Sequence, residues 1–537
     1  MLAEAERPRA WLQHLLPLLV AAACCLAVAL TIADYGICWD ERFYYWAGLA
    51  NAAWLRHPSL ANVDAAFSFA LHQHPPLAPL LGGVARYLLH KRLGLMGPLT
   101  AFRWRNLVFA LALFYSLFCF VRDAWGWKVG LLSSLFVLVL PRLFVESHLA
   151  TVDYAVAAMS VAVAWAFWRG LANTRWMAFA AGLMGLALLT KINAVFLHAL
   201  ILCWFVARFR QRLFAPGAEA RIGGRREREA LLLRLVMLAA IPWVVFVLGW
   251  PWLWVDPVRR IPKYFITHLA HRPVPVHYLG QTYIEPPWHY PFVLTVVTIP
   301  LLLLLCLAVA LVRLRRLPNC SAAVFLLANA LAPLAVIAFL TPCKYDGVRL
   351  FLAAFPFLGA LAALGAAELF RLARRIRVHV LFAVLFVLLF IVSVWRSVVA
   401  YHPYQLAYYN ELVGGAKGAA ARGFEADYWG SSFRGLLPWL RTHPGARLHV
   451  PAGDEVLKFY AELGILAPPT LTLREQADYL VLLSRQGWWD GECWHYAREK
   501  KPIVAVSVAG ATLAAIYELD NPGRRRVPDA ELWRPHP

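Results

Sequence analysis

Long apolar stretches recur along the chain, separated by short polar segments, and most approach the roughly 20 residues needed to cross a hydrocarbon core of about 30 Å. Read by length and apolar continuity, they predict eleven membrane spans, over 12–33, 106–121, 129–146, 154–168, 176–190, 192–207, 235–254, 292–312, 321–341, 348–368 and 378–397. The piece PPLAPLLGGVARYLLH (75–90) is short and interrupted by Pro and Gly, and is expected as an interfacial or re-entrant helix. The first run is longer than a signal-peptide core and lacks a convincing small-residue cleavage pattern, so a retained span is expected there. From Tyr401 onward the pattern changes. PWLRTHPGARLHVPAGDEVLKFYAELG reads as helix, turn, strand, helix, and ADYLVLLS (477–484) as a strand. IVAVSVAGATLAAIYEL (503–519) reads as a hairpin broken at Ala509–Gly510. The expected organisation is a membrane domain over 1–397, with an outer loop over 34–105, and a small α/β domain over 398–537.

Composition supports this class. Hydrophobic residues make up 61% of the 537 and charged residues 15%, and the mean hydropathy is +0.58, values that exclude an ordinary soluble domain. The net charge of +21 would suit a nucleic-acid partner, but its placement does not. Arg7 and Arg9, Arg122 and Lys128, Arg169 and Arg175, Arg313–Arg316, Arg371–Arg377 and the arginine-dense segment 208–234 all lie between spans. Basic residues in alternate short loops are an orientation signal. They put the N-terminus in the cytoplasm and everything beyond about residue 398 on the outer face. Counting 75–90 as a span would reverse this and is rejected on that ground. Of the nine cysteines, most fall in predicted spans as small hydrophobes. Cys38 and Cys343 fall on the same expected face, where a bridge between them is conceivable, and no CxxC or Cys/His zinc spacing occurs.

This topology gathers the unusual polar residues on one face. DYGICWDERFYY (34–45) follows the first span and carries Asp34, Asp40 and Glu41 beside Trp39, Phe43, Tyr44, Tyr45 and Trp46. A carboxylate walled by aromatics is partly desolvated, which raises its pKa and suits it to general-base work near neutral pH. The same aromatics also suit an interfacial belt. A second acidic stretch, PRLFVESHLATVDYAVAAM, brings Glu146, His148 and Asp153, with Glu146 and Asp153 seven apart and on one face if helical. Two acidic patches suit acid–base chemistry, a divalent cation with oxygen ligands or a transport pathway. Cations complete the set: His72 and His74 in HQHPP, Lys191 in LLTK, and Lys344 and Arg349 with Tyr345 and Asp346 in CKYDGVR. An arginine grips phosphate bidentately and a lysine meets it as a point charge; snorkelling to headgroups is the alternative for each.

Taken together, WDERFYY, HPPL, HLATVD, LLTK and YDGVR resemble the GT-C membrane glycosyltransferases. The resemblance is to the family 39, protein O-mannosyltransferase-like bacterial branch, with the lipid A aminoarabinose transferases as more distant cousins, and it covers roughly residues 10–400. It implies an all-α polytopic GT-C fold in a bacterial inner membrane. It also implies transfer of a sugar, with inversion, from a polyprenyl-phosphate carrier to a hydroxyl of a glycan, lipid or protein on the outer face. Asp40 matches the catalytic base, Glu41 its neighbour, and Asp153 the second acidic position. His74, Lys191, Lys344, Tyr345 and Arg349 become candidates for the donor phosphate and lipid, with His72, Glu146 and His148 in secondary places. No cofactor is implied with certainty, and a divalent cation stays open. Two departures stand: His74 occupies the place of a lysine before the double proline, and no MIR module follows, so a protein acceptor is unsupported. A membrane transporter or flippase for a lipid-linked or anionic substrate is the alternative, and inverted halves with broken helices would mark it.

Overall fold

A computed structural model describes residues 10–68, 74–214, 224–269, 273–341 and 343–520. The chain is mostly helical, with one small sheet near its C-terminus. Six helices among the described residues are long and apolar enough to cross a membrane: Pro98–Trp125, Ala194–Phe214, Gly224–Gly249, Cys320–Phe339, Arg349–Arg375 and His379–Val399. A bent pair, Tyr290–Thr298 and Leu301–Val312, makes up to seven.

The expected count of eleven is not reached among the described residues, and prolines account for two of the differences. A proline disfavours the helical region for the residue before it. Ile299, before Pro300, is extended (φ −90°, ψ 135°), and the predicted span 292–312 bends there by 118°. Leu140, before Pro141, is likewise extended (ψ 110°), which divides the predicted span 129–146 into Trp127–Leu138 and Pro141–Glu146. The segment 75–90 forms the helix Leu77–Arg86, followed by a wide turn over Tyr87–Arg92. It packs against the helix Glu41–Arg56.

At the centre stands the helix Asp153–Gly170, buried along nearly all its length. Its small residues, Ala155, Ala157, Ala158, Ala162 and Ala164, let the helices Arg105–Trp125 and Thr174–Leu188 approach closely. This helix also fixes the polarity of the bundle. Asp153 opens it, and Arg169 sits about 24 Å away at a rise of 1.5 Å per residue. At that far end Arg169 lies over Trp176 (4.2 Å) and 3.7 Å from Asp123.

Beyond residue 400 the chain forms the five-stranded sheet β4-β3-β5-β7-β6, with β3 Arg447–His449, β4 Thr470–Leu471, β5 Tyr479–Leu483, β6 Val504–Val508 and β7 Ala511–Glu518. β3 pairs in parallel with β4 and β5, while β7 runs antiparallel to β5 and β6. The β6–β7 hairpin turns through Ala509 (φ 47°) and Gly510 (φ 77°), the two positive φ values of a two-residue type I′ turn. A separate two-stranded ribbon, β1 Val276–Tyr278 and β2 Gln281–Tyr283, lies earlier in the chain. The C-terminal region is not tethered loosely: Tyr409, Phe424, Phe433, Phe459 and Val481 belong to the same apolar core as the bundle helices. Among the described residues no disulfide joins Cys38 to Cys343, and both are buried.

Candidate active site

Six segments far apart in sequence bring their polar residues to one end of the bundle, around Arg349. Its Nη2 donates to Asp40 Oδ2 (2.6 Å), its Nη1 donates to Asp346 Oδ2 (2.7 Å), and its Nε lies 3.4 Å from Asp153 Oδ2. Lys191 Nζ pairs with the other oxygen of Asp153. Arg485 Nη2 pairs with Asp346 Oδ1 (2.7 Å), and Trp429 Nε1 donates to Asp346 Oδ2 (3.2 Å). Three carboxylates thus interlock with three cations. The guanidinium of Arg349 also stands over the rings of Trp429 (4.8 Å) and Tyr345 (5.8 Å), an arrangement that favours a cation.

Local structure explains how each group arrives. Asp40 ends the loop that leaves the first helix and precedes the helix Glu41–Arg56. Asp153 opens the central helix, and Lys191 follows the helix Thr174–Leu188. Arg349 opens the tight helix Arg349–Ala354, after a turn in which Asp346 (φ 55°) and Gly347 (φ 61°) both have positive φ. For a non-glycine residue that backbone costs on the order of 1–2 kcal/mol. The return is a buried Asp346 facing Arg349, Arg485 and Trp429 together.

Apart from Asp153, which is fully buried behind them, these residues line a cavity of about 340 Å³. Asp40, His74, Lys191, Tyr345 and Arg349 of the sequence candidates are in its wall, joined by Asp346, Trp429, Arg485 and Trp488. Of the three carboxylates, Asp40 is the accessible one, at 23% exposure against 0% for Asp153 and 6% for Asp346. Burial pushes the Asp40 carboxyl above the usual aspartate range, and Arg349 pulls it part of the way back. On the membrane side the cavity meets an apolar cleft between the helices Ala194–Phe214 and Cys320–Phe339. The cleft is lined by Phe196, Leu200, Val336 and Phe357 and shares Asn193, Arg349 and Leu350 with the cavity.

Other expected residues are placed elsewhere. Glu41, expected in the catalytic set, is not in the cavity wall. Its carboxylate is fully buried and accepts from Arg103 Nε (2.7 Å) and Nη2 (2.6 Å) and from the amides of Cys38 and Ala150. Lys344, expected on the donor phosphate, is also outside the wall. Burial lowers its pKa while Glu285 raises it. His148 is bonded to Thr31 Oγ1 (2.8 Å) and the carbonyl of Phe144 (2.7 Å), and burial pushes its pKa down to about 3. It is a neutral packing residue beneath Tyr35, at 4.3 Å. Glu146 is buried, accepts from Thr151 Oγ1 (3.0 Å), and is held well above the usual carboxylate range by burial and by Asp153. His72 lies outside the described residues.

The donor set does not fit a divalent cation as it stands, because the wall carboxylates Asp40 and Asp346 are already committed to Arg349 and Arg485, and the buried Asp153 to Lys191. Among the described residues, no group of three or more His, Cys, Asp or Glu side chains could hold a metal ion. Sequence reasoning missed Arg485 and Trp488 outright. The signal that was present is SRQGWWD (484–490): an arginine beside two tryptophans in an otherwise soluble-looking tail.

No family model matches the chain, and no curated protein matches it. It is similar to a solved structure of ArnT from Cupriavidus metallidurans bound to undecaprenyl phosphate, with 16% identity, 93% of this chain and 97% of that chain covered, and a TM-score of 0.49. The apo state of the same protein gives 15% identity, the same coverages and a TM-score of 0.48. The archaeal oligosaccharyltransferase AglB from Archaeoglobus fulgidus, in complex with an inhibitory peptide and a dolichol-phosphate, gives 14% identity and a TM-score of 0.46. That match covers 86% of this chain and 61% of the longer one.

Proposed function

We propose that the protein is an integral-membrane glycosyltransferase that moves a sugar from a polyprenyl-phosphate carrier to a hydroxyl acceptor. The observation that supports this most is the junction at Arg349. There an apolar cleft between the helices Ala194–Phe214 and Cys320–Phe339 runs into a polar cavity holding one accessible carboxylate and several cations. The motifs around Asp40, His74, Asp153, Lys191 and Arg349 are those on which the sequence resembles GT-C enzymes.

In this reading Asp40 takes the proton from the acceptor hydroxyl while that oxygen attacks C1 of the sugar. The new C1–O bond forms as the bond from C1 to the carrier phosphate breaks, so the configuration at C1 inverts. The carrier phosphate leaves with the bonding pair, and Lys191 and Arg349 meet its charge. His74 and Tyr345 are proposed at the edge of the donor site. Glu41 serves indirectly, by holding Arg103 against the carbonyls of Tyr35 and Gly36 and so shaping the loop that carries Asp40. The boundary near residue 398, an N-terminus in the cytoplasm and a C-terminal region on the outer face of an inner membrane belong to the same proposal.

The test is turnover in a reconstituted membrane with labelled polyprenyl-phosphate mannose, glucose and arabinose donors. One donor should release free polyprenyl phosphate in an acceptor-dependent way, and Asp40→Asn should slow this by about 10²–10⁴-fold, the usual contribution of a general base. Full transfer by a folded Asp40→Asn variant would remove Asp40 from this role. A donor that crosses the bilayer with its C1–O bond intact would support a flippase instead.

A further inference from the structure

The cavity has two poles, and only one of them suits a lipid. Toward the membrane it is walled by Ile192, Phe196, Ile337 and Leu350 and runs into the apolar cleft. Away from it the wall is built by Trp39, Trp429, Arg485 and Trp488, three of them supplied by the C-terminal region. At that outer pole Arg485 is gripped from several sides. Its guanidinium stands over Trp39 (5.1 Å) and Trp488 (5.8 Å), its Nη2 pairs with Asp346, and its Nη1 donates to the carbonyl of Tyr428.

Neutralising Asp346 does not by itself explain Arg485, since Asp346 is already bonded to Arg349 and Trp429. Arg485 is 5% exposed, and its buried Nε–H meets no acceptor among the described residues. A buried donor left without a partner is costly, and here it belongs to a residue of the cavity wall. Beside it Trp488 keeps 40% of its surface exposed, with its ring 6.1 Å from that of Trp39. An exposed indole next to a fixed guanidinium offers an apolar face for a sugar ring and a charge for a substituent on it.

We infer that Trp39, Trp488 and Arg485 form the acceptor subsite, and that the acceptor is a carbohydrate bearing an anionic group. This rests on the glycosyltransferase reading for its direction: the lipid-linked donor enters from the cleft, so the acceptor takes the opposite pole. Asp40, between the two, faces both. The class of acceptor is then set by the C-terminal region rather than by the membrane helices.

Calorimetric titration of the full chain in detergent tests this without turnover. Four probes separate the terms: glucose 1-phosphate, methyl glucoside, inorganic phosphate and farnesyl phosphate. Glucose 1-phosphate is expected to bind about tenfold or more tighter than methyl glucoside or inorganic phosphate, as a charged hydrogen bond added to ring contact should give. Arg485→Gln and Trp488→Ala should each weaken glucose 1-phosphate and leave farnesyl phosphate binding unchanged. Should Arg485→Gln fail to fold, the half-exposed Trp488→Ala decides alone. Equal binding of the charged and neutral sugars, of phosphate with or without the ring, or no binding of glucose 1-phosphate would overturn the inference. So would a loss of farnesyl phosphate binding in either variant, which would assign these residues to the donor. Failure of the enzyme reading itself would appear separately, in the transfer assay.

Discussion

Asp40 and Glu41 are adjacent carboxylates and opposite in fate. One turn of backbone at the start of a helix sends Asp40 to the cavity and Glu41 into the protein, where it faces Arg103 at 2% exposure. Removing one partner of a buried, hydrogen-bonded ion pair leaves the other charge uncompensated and typically costs about 3–5 kcal/mol. Glu41→Gln should therefore lower thermal stability and folded yield markedly, because Arg103 also holds the carbonyls of Tyr35 and Gly36. Asp40→Asn should be much milder, since Arg349 keeps Asp153 and Asp346. Melting temperatures of the two variants, measured beside their transfer rates, check the contrast: stability lost with Glu41, chemistry lost with Asp40. Equal stability losses would mean that the pair at Asp40 is structural too. Sequence alone could not make this distinction, because both carboxylates belong to one motif and the partner that separates them, Arg103, lies 62 residues away.

Among elements, the strap around Glu425 has the most to say about pH. Its carboxylate is 6% exposed and accepts from the amides of His277 (3.2 Å) and Gly487 (2.9 Å), while Tyr409 Oη donates to its carbonyl (2.8 Å). It thus ties the β1–β2 ribbon, the strap and the turn that carries Arg485 and Trp488. Burial pushes its pKa up to about 7, against about 4.3 for an unfolded glutamate. The folded state then holds a proton that the unfolded state has released, so this contribution to stability is complete below the unfolded value and is lost as pH rises through about 7. The melting temperature should fall between pH 5 and pH 8, and Glu425→Gln should flatten that slope while keeping an acceptor oxygen for both amides. An unchanged slope in the variant would place the effect on other groups. The strands nearby were legible: the short apolar run of ADYLVLLS marked β5, and Ala509–Gly510 marked the hairpin. Helix interruptions at Pro141 and Pro300 were legible in kind, yet apolar continuity concealed them, because a proline-broken run and an unbroken one have the same hydropathy.

For the whole molecule, the question is whether the region after residue 398 is a separable domain, as its composition suggests. The contacts argue for interlock. Trp39 N donates to Trp429 O (2.9 Å) and Ile37 N to Tyr460 Oη (3.0 Å), while Arg42 pairs with Glu455 and Glu462. A side chain on Gly36 would meet Ser431 O at 1.9 Å, so the loop bearing Asp40 lies directly against the C-terminal strap. Arg349 and Asp40 are 309 residues apart, and the C-terminal Trp429 packs on their pair. Local patterning carries no information about such a distance, which is why the carboxylates and Arg349 were foreseen as types on one face while Arg485 was not foreseen at all. A shared core makes unfolding a single cooperative event. Amide exchange of β5, followed by mass spectrometry on heating, should therefore accelerate at the same temperature at which the far-ultraviolet helical signal is lost. If β5 exchanged freely while the helices persisted, the C-terminal region would be a detachable cap. Its arginine would then reach the cavity only in the docked state, and closing that cap would become a step in the reaction.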